Sequence, residues 1–270
     1  MKNKGTLILS GLGLNCEKET AYACQASGAS RVDIRHTLSL LKGEISLSDY
    51  DFLVFIGGFL DGDYLGSGRV GANRYKYGKN HEGDLKDQLA EFSKAGNLML
   101  GICNGFQLMV KLGLLPFEEL STGGQSVSLT HNSSGIFEDR WVHLKVNPQS
   151  NNVFTNGIDR LYLPIRHGEG KLVVADQAIG EKVSQAHLNV LSYTDPLGNP
   201  TGEYPANPNG SWLHTAGLGN AQGNVFGLMP HPEAFNHFTN HPNWTRQENK
   251  PQETPEGLQL FENAYRHLDK

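Results

Sequence analysis

Short apolar runs alternate with amphipathic stretches through the first half of the chain. Residues 6–10, 32–36 and 52–56 read as strands, and residues 17–27 mix polar and apolar positions at helical spacing. Further on, 84–95 predicts a helix, 97–102 a strand and 104–112 another helix. Strands that alternate with helices in this way run parallel and are joined by crossovers, so the expected fold is α/β, with a central, mostly parallel sheet flanked by helices. The second half changes character. Residues 127–130, 141–146, 162–165, 171–175 and 188–194 are short strand candidates separated by Gly, Pro and Asn clusters, which predicts antiparallel excursions and an additional small antiparallel sheet. A final strand at 224–229 precedes "PHPE". The polar, proline-containing stretch 234–254 reads as an irregular surface segment, and 255–268 as an amphipathic closing helix. The whole of 1–270 is expected to be one domain, with 234–270 as its C-terminal extension.

Composition narrows the classes without choosing among them. At 270 residues and 38% hydrophobic content the chain can fill a sizeable core. A net charge of -5 with no long basic tract makes neither nucleic acid nor an anionic membrane an expected partner. No apolar stretch approaches the roughly 18 residues that span a bilayer, and the chain enters its first strand almost at once, so the cytoplasm is the expected compartment. Three cysteines, Cys16, Cys24 and Cys103, are too few and odd in number for a disulfide framework and are expected to be free thiols.

Two glycine loops need weighing. "SGLGLNCEKE" follows a strand and opens a helix, but Cys16 stands where a dinucleotide fingerprint needs its third glycine. The next strand also closes on Arg35 and His36 rather than on an acidic residue. A tight strand-to-helix turn is the expectation there, and with no P-loop motif ATP is not expected to bind through one. "GGFLDGDYLGSGR", residues 57–69, carries five glycines after a strand. Such a loop suits close backbone approach to a ligand and equally suits ordinary mobility. Arg69, Arg74, Lys76 and Lys79 beyond it read as a solvated face.

"LMLGICNGFQLM", residues 98–109, sets Cys103 between glycines where a strand passes into a helix. The form G-x-C-x-G resembles a nucleophile elbow: small neighbours relieve a sharp turn, the helix N-terminus favours a thiolate, and the Asn104 amide becomes an oxyanion donor. Free cysteine is also among the most buried residue types, and this turn alone fits packing as well as chemistry. A base would separate the two. Of eleven histidines, His231 follows the strand 224–229 at the expected sheet edge, with Glu233 two residues on, pointing the same way in an extended segment and able to orient its ring. "HGEG" at 167–170 offers His167 and Glu169 at the same spacing, although its glycines suggest a ligand-contacting turn. His237 and His241 have metal-like spacing but no third ligand and Pro242 behind them, so no metal is expected.

Taken together, "GICNGFQ", "GGFLDGDYLGSGR", "LPIRHGEGKL", "YPANPNGS" and "GLMPHPE" resemble the glutaminase subunit or domain of phosphoribosylformylglycinamidine synthase, a class I glutamine amidotransferase of purine biosynthesis. "GLNCEKE" and "LTHNSSGIFEDRWV" are similar to it as well, and the matches run in family order from residue 6 to residue 233. The resemblance implies a flavodoxin-like amidotransferase domain in which Cys103 attacks glutamine, His231 shuttles the proton and Glu233 orients it. It also implies oxyanion amides from Gly58 and Asn104, and substrate contacts from Gln107 and, in the "THNSSG" turn, Asn132 and Ser133. Ammonia would pass to a synthetase subunit, with a small accessory subunit as a further partner. ATP and magnesium would belong to that synthetase, leaving this chain without a cofactor of its own. Ile136 and Ala234 stand where the family commonly has arginine. The tail 234–270 is longer than in compact stand-alone subunits and looks more like the C-terminus of the fused enzyme.

Overall fold

The computed structural model describes residues 5–120, 124–246 and 254–270. Its strands are β1 (Thr6–Ser10), β2 (Val32–His36), β3 (Phe52–Phe55), the short pair β4 (Lys79–Asn80) and β5 (Gly83–Asp84), β6 (Leu98–Ile102), β7 (Val127–Thr130), β8 (Glu138–Val146), β9 (Arg160–His167), β10 (Lys171–Val174), β11 (Asn189–Thr194), β12 (Thr215–Gly219) and β13 (Val225–Leu228). The helices are α1 (Glu17–Ala26), α2 (Thr37–Leu41), α3 (Arg69–Tyr77), α4 (Leu85–Lys94), α5 (Asn104–Leu112), α6 (Gln177–Gln185) and α7 (Glu256–Leu268).

Nine strands form one sheet in the order β2-β1-β3-β6-β13-β12-β11-β8-β9. From β2 to β13 every pairing is parallel, and β3, β6 and β13 are buried at every position, as strands covered on both faces must be. The antiparallel excursion continues the same sheet through β12, β11, β8 and β9. The additional small sheet is β7 paired with β10.

Several elements depart from the sequence reading, among them α2 and the β4–β5 pair, where no element was expected. Helix α3 lies inside the stretch read as a glycine loop and charged face; Arg74 on it pairs with Asp61 at 3.1 Å, so this charge is tied to the loop. Helix α6 and strand β12 were not foreseen, the latter because "TAGLG" offers little β-branched or aromatic signal and owes its place to pairing on both sides.

The irregular segment after β13 is described up to Arg246; 247–253 lie outside the described residues. Helix α7 then returns to the core. Tyr265 bonds Thr6 of β1 through their hydroxyls at 2.7 Å and packs edge-on against Phe52 at 5.9 Å. Near its start, a Cβ on Gly257 would collide with the Pro232 carbonyl oxygen, so the helix seats directly on the turn that carries His231 and Glu233. Burying Phe261, Leu260 and Tyr265 at about 1.5–3 kcal/mol each gives this brace its strength.

Candidate active site

Helix α5 begins at the carboxyl edge of β6, and the residue between them, Cys103, has φ 51° and ψ -104°. Positive φ is strained for a residue with a Cβ and persists where the surroundings fix it. Here the Cys103 N–H donates to the Leu228 carbonyl at 2.8 Å, and its carbonyl accepts the Gln107 N–H at 3.0 Å. Gly105 permits the bend, because a Cβ there would overlap the Phe55 carbonyl oxygen. The thiol is buried and donates to the Arg166 carbonyl at 3.5 Å.

His231 and Glu233 reach the same edge from the turn after β13. The His231 N–H donates to the Pro164 carbonyl at 2.8 Å, and Nδ1 meets Glu233 Oε1 at 2.6 Å. Glu233 is 0% and His231 3% exposed. Burial alone would push the His231 pKa down; the Glu233 carboxylate and then the Cys103 sulfur instead hold it well above its ordinary value. Gly57 lies between the two segments: a Cβ on it would stand 2.8 Å from His231 Cε1 and 3.5 Å from Cys103 Cβ. The fold therefore brings Cys103, His231 and Glu233 together from strand ends far apart in the chain.

Gly58 has φ 132°, a conformation that favours glycine, and the backbone of Gly13, Leu14 and Asn15 would crowd any Cβ there to 2.6–2.9 Å. Its bridge to Leu14 uses the groups on either side, with Asn15 N–H donating to Gly57 O at 3.1 Å and Phe59 N–H to Gly13 O at 2.8 Å. That pairing leaves the Gly58 N–H outside it. Asn104 is the first residue of α5, where N–H groups lack intrahelical partners and the helix dipole favours negative charge.

The residues expected to hold substrate divide. Gln107 is tied to the wall of the site: its Nε2 donates to the Glu169 carbonyl at 2.7 Å and its Oε1 accepts from Asn104 Nδ2 at 3.0 Å. Asn104 Nδ2 also donates to Asp63 at 2.8 Å, so the 57–69 loop is pinned to α5 rather than free. Ser133 lines a groove of about 430 Å³ with Ile136, Tyr204 and Asn207, and none of Cys103, His231 or Glu233 lines it. Asn132 is spent internally: Nδ2 donates to the Ile136 and His167 carbonyls, and Oδ1 accepts from the Gly170 N–H and faces His167 Nδ1 at 3.1 Å. With both ends engaged, this side chain is a post that ties the "THNSSG" turn to "HGEG".

His167 belongs to that post. Its Nδ1 donates to Asn132, its Nε2 is buried with no partner among the described residues, and burial, followed by the charge of His231, pushes its pKa down to about 3. A ring that stays neutral this way makes stability depend on pH. Between about 3 and its unfolded value near 6.5 the unfolded chain binds a proton that the folded chain refuses, so stability is lost as pH falls through that window. Urea unfolding at pH 7 and pH 5 should therefore differ by about 2 kcal/mol less in His167→Gln than in the parent. Equal differences would refute the neutral assignment.

Two neighbours of the site were not anticipated as such. Gly57 looked like one glycine of a loop, and Cys16 looked like part of a tight turn. Cys16 does cap α1 at φ 71°, but the backbone bonds that join residues 12–15 to 57–61 carry it across to His231 and Glu233. His237 and His241 each turn Nδ1 to a local cap, His237 on Thr239 and His241 on Asn243.

A thiol on a strand–helix elbow, faced by a buried His–Glu pair at the same edge of a parallel sheet, defines a class that comparison supports. The family model for the CobB/CobQ-like glutamine amidotransferase domain matches residues 3–268, so the chain is a glutamine amidotransferase by fold and sequence. The phosphoribosylformylglycinamidine synthase subunit PurQ of Dehalococcoides mccartyi is 43% identical over 98% of this chain and 97% of its own length. The same subunit of Methanococcus maripaludis is 40% identical, with the same coverage. A chain of the PurLQS structure from Thermotoga maritima superposes with a TM-score of 0.69 at 27% identity, covering 97% of this chain and 98% of its own. The chain belongs to the PurQ family of phosphoribosylformylglycinamidine synthase subunits. Those subunits align through the tail, so the extension is a feature of separate subunits and not a mark of the fused enzyme. Among the described residues no helix is long and apolar enough to cross a membrane.

Proposed function

We propose that this chain hydrolyses glutamine and delivers the ammonia to a synthetase subunit, which uses ATP and magnesium to convert formylglycinamide ribonucleotide to its amidine in the cytoplasm. The observation that carries the reading is the convergence of Cys103, on its strained elbow, with the 2.6 Å His231–Glu233 pair. Family membership supports the particular reaction, and the relative in the PurLQS structure supports delivery within an assembly.

Cys103 attacks the side-chain carbonyl carbon of glutamine after giving its proton to His231. The oxygen that becomes negative is held by the N–H groups of Gly58 and Asn104, and His231 returns the proton to the departing nitrogen, which leaves as ammonia. A water then passes a proton to His231 and attacks the thioester; glutamate leaves and Cys103 recovers its proton. Glu233 keeps the ring in the tautomer and orientation that both halves need. Gln107 contributes one remaining amide hydrogen to the substrate, and Ser133 stands further out on the groove wall. Asn132 acts on substrate only by holding "HGEG" in place.

The test is glutamine hydrolysis by the purified chain, alone and with the synthetase, its nucleotide substrate and ATP. Turnover is expected to be low alone and to rise between about 5- and 150-fold in the complex, the span of ordinary coupling between sites. Absence of hydrolysis in both states would overturn the proposal.

A further inference from the structure

Cys16 has no part in this chemistry, yet it stands beside it. Its Sγ, a ring nitrogen of His231 and a carboxylate oxygen of Glu233 lie within 4.8 Å of one another, the one such group of His, Cys, Asp or Glu among the described residues. Two atoms of the trio's partners are unmet: His231 Nε2 and Glu233 Oε2 are buried with no hydrogen-bond partner among the described residues. Proton transfer uses the first, but nothing in the reaction uses the second. Cys16 itself is half-buried, so the trio has a route to solvent on the thiol side.

We propose that Cys16, His231 and Glu233 form an inhibitory site for a thiophilic divalent cation of zinc's class. Sulfur, nitrogen and oxygen donors in tetrahedral array around zinc sit about 3.5 Å apart, and donor atoms already within 4.8 Å of one another can be set to that spacing by side-chain rotation. Solvent fills the fourth position. Binding releases to water both the Cys16 thiol proton and the proton on the His231 nitrogen that takes the ion, and involves no oxidation. The ion fixes the ring that must carry protons to and from Cys103, so glutamine turnover stops until the ion is removed. Inhibition rests on the function proposed above, whereas binding does not.

Cadmium separates the two, because its bond to a thiolate absorbs in the ultraviolet. The full chain carrying Cys103→Ser is expected to bind one cadmium ion and show the thiolate-to-metal band. Adding either Cys16→Ser or Cys16→Ala should weaken binding by at least about tenfold, and Glu233→Gln should weaken it as well. A band absent from Cys103→Ser, or indifferent to both Cys16 replacements, would overturn the site. With Cys103 intact, zinc should inhibit glutamine turnover reversibly to chelator, and Cys16→Ser should raise the zinc needed, relative to its own metal-free rate, by at least about tenfold. Cys16-dependent binding in a chain without glutamine turnover would overturn the function and leave the site standing. Turnover that zinc leaves untouched would overturn the inhibition.

Discussion

Replacing Cys103 with alanine is expected to abolish glutamine-dependent amidine synthesis in the reconstituted complex, on the order of 10⁴-fold or more, while leaving synthesis from added ammonium salt intact. The size of the effect follows from covalent chemistry: without sulfur there is no thioester, and His231 has nothing to deprotonate. The selectivity follows from the fold. Alanine occupies the same positive-φ elbow at the same cost, and the backbone bonds to Leu228 and Gln107 remain. The partner's use of ammonia should therefore be undisturbed. Initial rates of amidine formation with glutamine and with ammonium salt, measured on one preparation, decide the matter. Retained glutamine use would sink the mechanism, and loss of both activities would mean that the complex had not formed.

That pairing of results also marks how far the sequence could be read. The parallel half of the sheet was legible because β3 and β6 are continuous apolar runs bounded by helical periodicity, a signal that needs only neighbours in sequence. The elbow was legible for the same reason: the glycines around Cys103 lie within two positions of it. The His–Glu pair could be placed at the correct edge because both residues follow directly on a strand. Failures share a cause of the opposite kind. Strand β12 depends on partners on both sides, and α3 had to be told from a loop of similar composition. Asn132 looks like any polar turn residue until its four contacts with the backbone and His167 are seen. Cys16 reaches the site through the backbone bonds that join residues 12–15 to 57–61, a link between segments that no local pattern encodes.

His231→Ala is expected to lower the chemical step with glutamine by at least about 10²-fold, the ordinary contribution of a general acid–base. Its reading is complicated by what the substitution leaves behind. Glu233 is 0% exposed, and stripping it of the ring strands a carboxylate in the interior, a loss of about 3–5 kcal/mol when one partner of a buried pair is removed. A fall in rate could then reflect a disturbed fold. Pairing His231→Ala with Glu233→Gln removes the stranded charge, so the double variant should recover thermal stability toward that of the parent while its glutamine-dependent rate stays down. Ammonium-dependent synthesis should be preserved throughout, as with Cys103→Ala. His167 supplies the contrast: held neutral by burial and fixed on Asn132, it has no proton to offer near neutral pH, and His167→Gln should cost glutamine turnover far less than His231→Ala. If the order of the two histidines were reversed, the base would have to be sought in "HGEG", and the buried pair on β13's edge would be a structural ion pair only.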